Sequence, residues 1–414
     1  MKIIRKIILG FIFLVSIFIV WINFKLYSDN FTKKEKKEDI NLQLNFLEQE
    51  LKNNNLGERM QNMFPEGFVF TNALYGLSWC EYEMSDSTNP NKTKALSEAL
   101  YAYNQINSEK AKSIFIAALQ PEYGIYYTGW NNYLLSKILL LDSNFANNEA
   151  YKKIFSNQCE LISIALKKSA SPFLQSYPNQ SWPADMCVAM ASISNYDKIF
   201  KPKYQDLISG WINNVKLKLD PKTKLIPHKV NSSNGETIEG ARGSSISLIL
   251  RLMAEIDINF AKDQYKYYKQ HFVSTTFGLP SINEYPKGTS GTGDIDSGPV
   301  VFGVGFAGTI VSMGTFSILG DKESAEQQYK TINAFGMSYK TSNTKKYAFG
   351  QLPIADAFIA WSRSSGLNYD EDSNQSSKYW RLKFHLISIF TIIVLWLLYY
   401  SETIFSKLRK TKKL

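Results

Sequence analysis

The chain has 414 residues, of which 44% are hydrophobic and 14% are aromatic, enough for one large domain or two ordinary domains with a substantial core. Its formal net charge is +10, but many of its lysines flank two apolar segments and the others are scattered singly. No basic motif with interleaved aromatic residues occurs, so the composition argues against nucleic-acid binding.

The first apolar segment is long enough to cross a membrane. Residues 1–6 carry Lys2, Arg5 and Lys6, and residues 7–24 carry no charge, which matches the about 17–25 residues of a transmembrane helix. A cleaved signal peptide is the alternative, but no A-x-A-like cleavage site comes after it. We therefore predict a cytoplasmic segment at 1–6, an uncleaved anchor at 7–24 and a charged connector at 25–38.

A second apolar segment, at 383–400, precedes a basic tail at 401–414 and contains the aromatic residues that are common at membrane interfaces. A buried core helix is the alternative for this segment. Two spans would place both termini on one side of the bilayer, and the signal-like first segment favours export of the residues between the spans. We predict a two-pass protein of the cell membrane, with an extracytoplasmic domain at 39–366 and a linker at 367–382.

Between these segments the hydrophobic pattern is helical throughout, without a sustained two-residue alternation. Connections between predicted helix pairs are short and those within pairs are longer. Two-helix units without a repeating sequence period favour an all-α (α/α)6 toroid, or six-hairpin barrel, over an open solenoid. The predicted pairs are 39–54 with 68–84, 93–118 with 129–141, 147–168 with 184–195, 203–219 with 241–255, 259–275 with 298–319, and 321–337 with 353–364.

All six within-pair loops of such a barrel emerge at one end, which we call the mouth. The loops and the helix starts next to them hold most of the unusual aromatic, amide and charged residues. Long loops in a compact domain are usually functional, and such a cup is typical of a ligand-binding site, although aromatic residues at helical spacing are as often part of the core. The predicted substrate contacts are Tyr127, Trp130, Asn132, Tyr177, Gln180, Trp182, Glu239 and Arg242.

A Gly/Ser/Thr-rich loop delivers two carboxylates, Asp294 and Asp296, of which one is expected to face the mouth and the other to cap a helix. The helix is predicted to begin at Ser297 to Pro299, because proline fits a first helical turn. Glycine within a helix costs about 1 kcal/mol relative to alanine, so the many glycines of this helix predict a close approach to its backbone.

The three cysteines, Cys80, Cys159 and Cys187, allow at most one disulfide, and they form no metal-binding spacing with histidine. The D-x-D-x-G fragment at Asp294 resembles the start of a calcium loop, but the remaining EF-hand ligands are absent. No P-loop or dinucleotide-binding motif occurs either. We therefore predict neither a metal nor a cofactor.

Four segments resemble linalool dehydratase/isomerase, a family of (α/α)6-barrel enzymes. They are 70–82, 124–141, 177–190 and 290–303, and they occur in the same order as in that family. The resemblance implies the barrel, the position of the mouth and a lyase that acts on a lipophilic terpenoid alcohol. Trp130 stands where the family has its active-site histidine, and Ser176 and Asp185 stand at or near the positions of its two cysteines.

Two charged groups at the mouth each have a structural and a functional interpretation. Asp185 comes after Trp182 and Pro183, so it is either a helix N-terminal acid, stabilised by about 0.3–1 kcal/mol, or a general acid whose pKa is raised by burial under Trp182. Glu239 and Arg242 either form an ion pair that fixes their loop or recognise a substrate anion through the guanidinium group.

These features lead to a functional prediction: an enzyme that hydrolyses, eliminates or epimerises a surface glycan by carboxylate acid–base chemistry. Asp185 is the predicted proton donor and Asp296 the base or water-activating group, with Asp294 and Arg242 in support. A lyase on a lipophilic alcohol and a non-catalytic envelope binding protein are the alternatives. The predicted partners are the lipid bilayer and a carbohydrate or lipophilic small molecule.

Overall fold

The computed structural model describes residues 2–27, 32–85, 92–295, 297–367 and 379–411. Helices dominate these residues, and the few strands form two-residue to four-residue hairpins. The helices are α1 (Lys2–Lys25), α2 (Lys33–Asn53), α3 (Leu56–Met63), α4 (Gly67–Met84), α5 (Lys92–Ile106), α6 (Glu109–Lys112), α7 (Gly124–Leu141), α8 (Ser143–Ala146), α9 (Glu149–Lys168), α10 (Pro183–Ile199), α11 (Gln205–Lys216), α12 (Gly243–Ile256), α13 (Ile258–His271), α14 (Phe306–Ile318), α15 (Lys322–Phe335), α16 (Pro353–Gly366) and α17 (Leu382–Thr411).

Within the described residues, four antiparallel hairpins lie in the loops between the helices of a pair. Their strands are β1 (Lys229–Val230) with β2 (Thr237–Glu239), β3 (Val273–Thr276) with β4 (Leu279–Ile282), β5 (Val300–Val301) with β6 (Val304–Gly305), and β7 (Tyr339–Lys340) with β8 (Lys345–Lys346).

Six helices form a closed inner ring in the order α4, α7, α10, α12, α14 and α16, and α16 packs back against α4. The inner helices are buried on almost all sides, whereas outer helices such as α9 bury one face, here through Phe155, Cys159 and Ile162. That spacing of three and four residues is the pattern of an amphipathic helix on a core. The predicted all-α (α/α)6 toroid is confirmed.

The start predicted for α14 is wrong. The helix begins at Phe306, and residues 300–305 form the β5–β6 hairpin instead. Phe302 and Gly303 occupy the two-residue turn with φ of 54° and 81°, and positive φ at both positions is the geometry that matches the twist of a tight hairpin. A turn of this kind is incompatible with a helix that continues from Pro299.

The glycines within α14 allow it to lie unusually close to its neighbours in the ring. A Cβ atom on Gly308 would lie 2.8 Å from the carbonyl carbon of Gly243 in α12, and one on Gly314 would lie 3.0 Å from the carbonyl oxygen of Ser362 in α16. Since both obstacles are backbone atoms, a side chain cannot displace them cheaply. The close backbone approach that these glycines predict is therefore present.

We expect G308A to destabilise the protein, by about 1–3 kcal/mol, because overpacking forces the backbones apart. G210A is a matched control: Gly210 lies within α11 and has no atom within 4 Å of its Cβ position, so alanine should stabilise that helix by up to about 1 kcal/mol. Chemical unfolding of both variants measures the difference. Equal stabilities would contradict this account of the packing.

Buried charges fill the end of the barrel opposite the mouth. Arg251 donates to Glu81 at 2.6 Å and stacks on Trp361, and Lys137 pairs with Glu255 at 2.9 Å. These side chains come from four different inner helices, so they meet inside the ring. The interior is therefore closed at this depth.

Two helices, α1 and α17, are long and apolar enough to cross a membrane over Ile3–Lys25 and Leu382–Ser401. Each is only 11% buried across its most apolar window, so α17 is not a core helix. They pack as an antiparallel pair, in which Asn23 donates to Ser388 at 3.0 Å and Trp396 donates to Ser16 at 3.2 Å. Hydrogen bonds between such helices satisfy polar side chains that lipid tails cannot hydrogen-bond.

Candidate functional site

An aromatic floor lies at the bottom of the mouth, where the inner helices begin. The ring of Phe70 in α4 contacts those of Tyr126 and Trp130 in α7, at 5.2 and 5.1 Å between centroids, and that of Phe358 in α16 at 5.6 Å. Phe70 and Phe358 are partly exposed, whereas Trp130 beneath them is fully buried. The floor of the mouth is thus an aromatic surface of the kind against which the ring of a ligand can stack.

Asp185 lies on the wall of the mouth, in the first turn of α10. The Ser176 hydroxyl donates to its Oδ2 atom at 2.5 Å. The loop that carries Ser176 is itself tied to α7, since the amide of Ile125 donates to the carbonyl oxygen of Gln175 at 2.8 Å. Asp185 is only partly buried, so its carboxyl group is held in place and open to solvent.

A tight turn places Tyr177 and Trp182 together beside Asp185, with their rings edge to face at 5.9 Å. Lys229 in β1 lies 4.9 Å from the Trp182 ring and donates to exposed Gln180 at 3.0 Å. This contact and a bridge between Ser181 and Val230 join the loop before α10 to the hairpin before α12. Aromatic, amide and cationic groups thus line one side of the mouth.

Arg242 is the centre of the charged group on the next segment of the wall. Its Nε donates to Glu284 at 2.8 Å, and its Nη1 donates to Asp294 at 2.5 Å and lies 3.5 Å from a Glu239 oxygen. Arg242 and Glu284 are buried, and Asp294 and Glu239 are partly exposed. The ion-pair interpretation of Glu239 and Arg242 therefore applies, and it extends to two further carboxylates.

The charged group sets the ionisation of Asp294. Burial alone would raise the pKa of this carboxyl, but the hydrogen bonds from Arg242 and the Ser297 amide outweigh burial and hold the pKa below its usual value. Ser297 and Asp294 also exchange hydrogen bonds at 2.9 Å, which closes the loop on itself. Asp294 is thus an ionised anchor of its loop and is poorly suited to donate a proton.

His228 joins this group, although nothing near it in the sequence indicates a partner. Its Nδ1 atom hydrogen-bonds to the Ser245 hydroxyl, and its Nε2 atom lies 3.9 Å from Glu239. Burial, and after it the charge of Arg242, lowers its pKa to about 4, so the imidazole is neutral near pH 7. The β1–β2 pairing brings His228 next to Glu239 and the charged group around Arg242.

Glu66 is a second mouth residue that the sequence did not reveal. It precedes α4, and it accepts a hydrogen bond from the hydroxyl of Tyr177. The sequence signal available was only an acid before a helix, which is common because the helix dipole stabilises a negative charge there. The contact spans 111 residues of chain and fixes the Tyr177 ring against the start of α4.

Three predicted substrate contacts in α7 do not reach the surface of the mouth. The Tyr127 hydroxyl donates to the carbonyl oxygen of Ile106 at 3.1 Å, and Asn132 donates to Ser192 at 2.8 Å. Both face neighbouring helices, and Trp130 lies beneath the aromatic floor. Because successive residues of a helix point about 100° apart and lie about 1.5 Å deeper, only the first turn of α7 can line the opening.

Two further acids are Asp296, the predicted base, and Asp356, which follows Pro353 in the first turn of α16. Asp296 lies outside the described residues. Asp356 is fully buried, accepts a hydrogen bond from the Tyr347 amide at 2.9 Å, and has its pKa raised to about 8 by burial. Asp356 is therefore an interior acid of α16 and is not part of the mouth.

The fold and the mouth define an (α/α)6-barrel protein with acidic and aromatic residues gathered at one end. The chain matches no family model and no curated protein. It is similar in structure to a family 105 glycoside hydrolase from C. acetobutylicum ATCC 824, with 15% identity, a TM-score of 0.50, and coverage of 71% of this chain and 93% of that one. It is also similar to an unsaturated glucuronyl hydrolase specific for heparin, with 9% identity, a TM-score of 0.51, and coverage of 81% and 96%.

These structural neighbours correct the family that the four sequence segments suggested. They are glycoside-active barrels and not linalool dehydratase/isomerase, so that assignment is wrong. The segment at 124–141 is the inner helix α7 and the segment at 177–190 leads into the inner helix α10, where glycines and aromatic residues serve close helix packing. Short matches of this kind arise from the shared fold and do not identify a family.

Proposed function

We propose that this protein is a membrane-anchored, extracytoplasmic enzyme that acts on a glycan by carboxylate acid–base chemistry. The observation that carries the proposal is the position of Asp185, a partly exposed carboxyl group fixed by Ser176 next to partly exposed Trp182. An acid beside an aromatic platform in a cavity is what protonation of a glycosidic oxygen requires. The two hydrolase neighbours support hydrolysis ahead of elimination or epimerisation.

In this proposal Asp185 is the proton donor and Asp296 is the base or the group that activates water. Asp294 and Arg242 position the loop that carries Asp296. Arg242 donates a hydrogen bond at 2.5 Å to Asp294, which comes two residues before Asp296 in the chain. Glu239, partly exposed and 3.5 Å from Arg242, is a further carboxylate at this wall that can accept a proton. Tyr177, Trp182 and Phe70 supply ring faces for sugar stacking.

The proposed membrane location is supported by the way α1 is held. Leu26 at its end packs with Leu279, Ala334 and Phe384 in one apolar cluster, and Arg381 donates to the Leu26 carbonyl oxygen at 3.0 Å. A signal peptide that is cleaved off makes no such contacts with the mature domain. We therefore propose that α1 remains attached and that it and α17 form a two-helix anchor.

The function can be tested on the full chain in nanodiscs with a panel of oligosaccharides that contain neutral hexoses, glucuronic acid or unsaturated uronic acid. Mass spectrometry separates the reactions, because hydrolysis adds one water to the two products, elimination adds none, and epimerisation leaves the mass unchanged. We expect hydrolysis of at least one member. Binding of a panel member without conversion would favour a non-catalytic binding protein.

A further inference from the structure

The mouth and the two apolar helices lie at the same end of the barrel. The first turn of α17 touches the loop between α13 and α14, where a Cβ atom on Gly278 would lie 2.7 Å from that of Lys383. Lys25, at the end of α1, reaches the carbonyl oxygen of Ser338 in the loop between α15 and α16 at 3.4 Å. Both loops join helices within a pair, so both belong to the mouth end.

The same loops carry exposed aromatic residues. Phe302 and Phe277 are 75% and 46% exposed and pack edge to face at 5.2 Å. Val301, next to Phe302, is exposed, and so are Tyr339 in β7 and Phe335 at the end of α15, which contacts Phe384 of α17. We call these five residues the apolar patch. Phe277 precedes Gly278, which lies against Lys383, and Phe335 contacts Phe384, so both groups of exposed residues adjoin the first turn of α17. Exposed apolar residues grouped in this way mark an interaction surface.

The backbone at Phe277 and Phe302 indicates that these two aromatic residues of the patch serve a purpose other than folding. Phe277 and Phe302 each occupy the first position of a two-residue hairpin turn before a glycine, with φ of 53° and 54°. Asn-Gly is the favoured pair in such turns, and a bulky residue at positive φ is uncommon. Strained residues of this kind persist mainly at functional sites.

The occupant that fits the patch is a lipid surface. At about 1.5 Å per residue, the apolar segments are roughly 30 Å long or more, which is about the thickness of the hydrocarbon core of a bilayer. A helix of this length that spans the core leaves no gap between the membrane and the barrel. Residues that touch the first turn of α17 then lie at the level of the lipid headgroups, where aromatic side chains are favourable. The patch is continuous with Phe384, so the bilayer that covers α17 also covers the patch.

We infer that the barrel rests with its mouth end on the outer surface of the membrane, and that its substrate is a lipid-linked glycan. This inference rests on the proposed function for the identity of the substrate as a glycan. A glycan carried on a membrane lipid projects directly from the bilayer towards the mouth. A free soluble polymer has to enter between the barrel and the bilayer.

The orientation is tested with the full chain in phosphatidylcholine and phosphatidylglycerol vesicles, with an environment-sensitive fluorophore on F302C. K201C is the matched control, since Lys201 is exposed in the loop between α10 and α11 at the opposite end, and the unsubstituted chain measures labelling of its three buried cysteines. We expect lipids with a shallow spin label to quench F302C strongly and K201C weakly. Equal quenching, or quenching that requires a high protein-to-lipid ratio, would overturn the orientation.

The substrate class is tested with the oligosaccharide that the panel identifies, prepared both free and linked to a prenyl chain in the same vesicles. We expect the lipid-linked form to react about tenfold faster or more, because the bilayer concentrates it at the mouth. The double variant F277N/F302N should remove this advantage and leave the free oligosaccharide rate unchanged, since asparagine suits both turns. Equal rates for both forms would refute the inference without affecting the proposed function, and the quenching test requires no turnover.

Discussion

The D185N variant is expected to lose turnover by a factor of about 10² to 10⁴, the usual contribution of a positioned acid or base. Asparagine keeps the size of the side chain and can still accept the hydrogen bond that Ser176 donates at 2.5 Å. It cannot give a proton to the leaving oxygen. The measurement is kcat on the most reactive member of the oligosaccharide panel, together with the thermal melt.

The controls for this prediction separate chemistry from folding. D185N should melt near the unsubstituted protein, because Asp185 is partly exposed and asparagine preserves its hydrogen bond with Ser176. S176A should lower kcat less than D185N, since it loosens the acid without removing it. D296N should match D185N if Asp296 is the base. Full turnover in both D185N and D296N would eliminate the assignment.

The barrel could be predicted from the sequence because its signal is local and repeated. Helical spacing such as that of Phe155, Cys159 and Ile162 recurs in the outer helices, and six pairs with short links have few ways to close. The residue at which α14 begins could not be predicted from local spacing of this kind. Phe302 at positive φ is an exception to ordinary turn chemistry, so the β5–β6 hairpin carried no familiar sequence signal.

The position of a mouth residue was predictable where the residue precedes an inner helix and unpredictable where distant segments meet. Asp185, Arg242 and Asp294 lie at the mouth end of the barrel, as the convergence of loops at one end of a ring predicts. His228 and Glu284 were missed, since they reach Arg242 through the β1–β2 pairing and through a contact across 42 residues. Asn132 is predicted at the mouth but faces Ser192 of α10, because sequence position near a helix start does not reveal which face of the helix a residue occupies.

Arg242 is expected to show the largest effect on stability. In R242M the buried carboxyl of Glu284 loses the guanidinium 2.8 Å away, and an uncompensated buried charge costs about 3–5 kcal/mol. The Ser244 hydroxyl, which donates to Glu284 at 2.7 Å, can offset only part of this loss. Asp294 loses its anchor as well, so KM should rise even where the variant is folded. Chemical unfolding measures the first effect and steady-state kinetics the second.

The cause of that loss can be isolated with a double-mutant cycle. If the orphaned charge of Glu284 is responsible, R242M/E284Q should recover much of the stability lost in R242M, because removing both partners of a buried pair is far less costly than removing one. K266A provides the exposed comparison, since Lys266 pairs with Asp263 at 2.8 Å on the surface and such pairs contribute about 0–1 kcal/mol. Additive losses in the double variant would mean that Arg242 stabilises the loop by packing. Van der Waals contacts, and not this ion pair, would then determine the shape of the charged wall of the mouth.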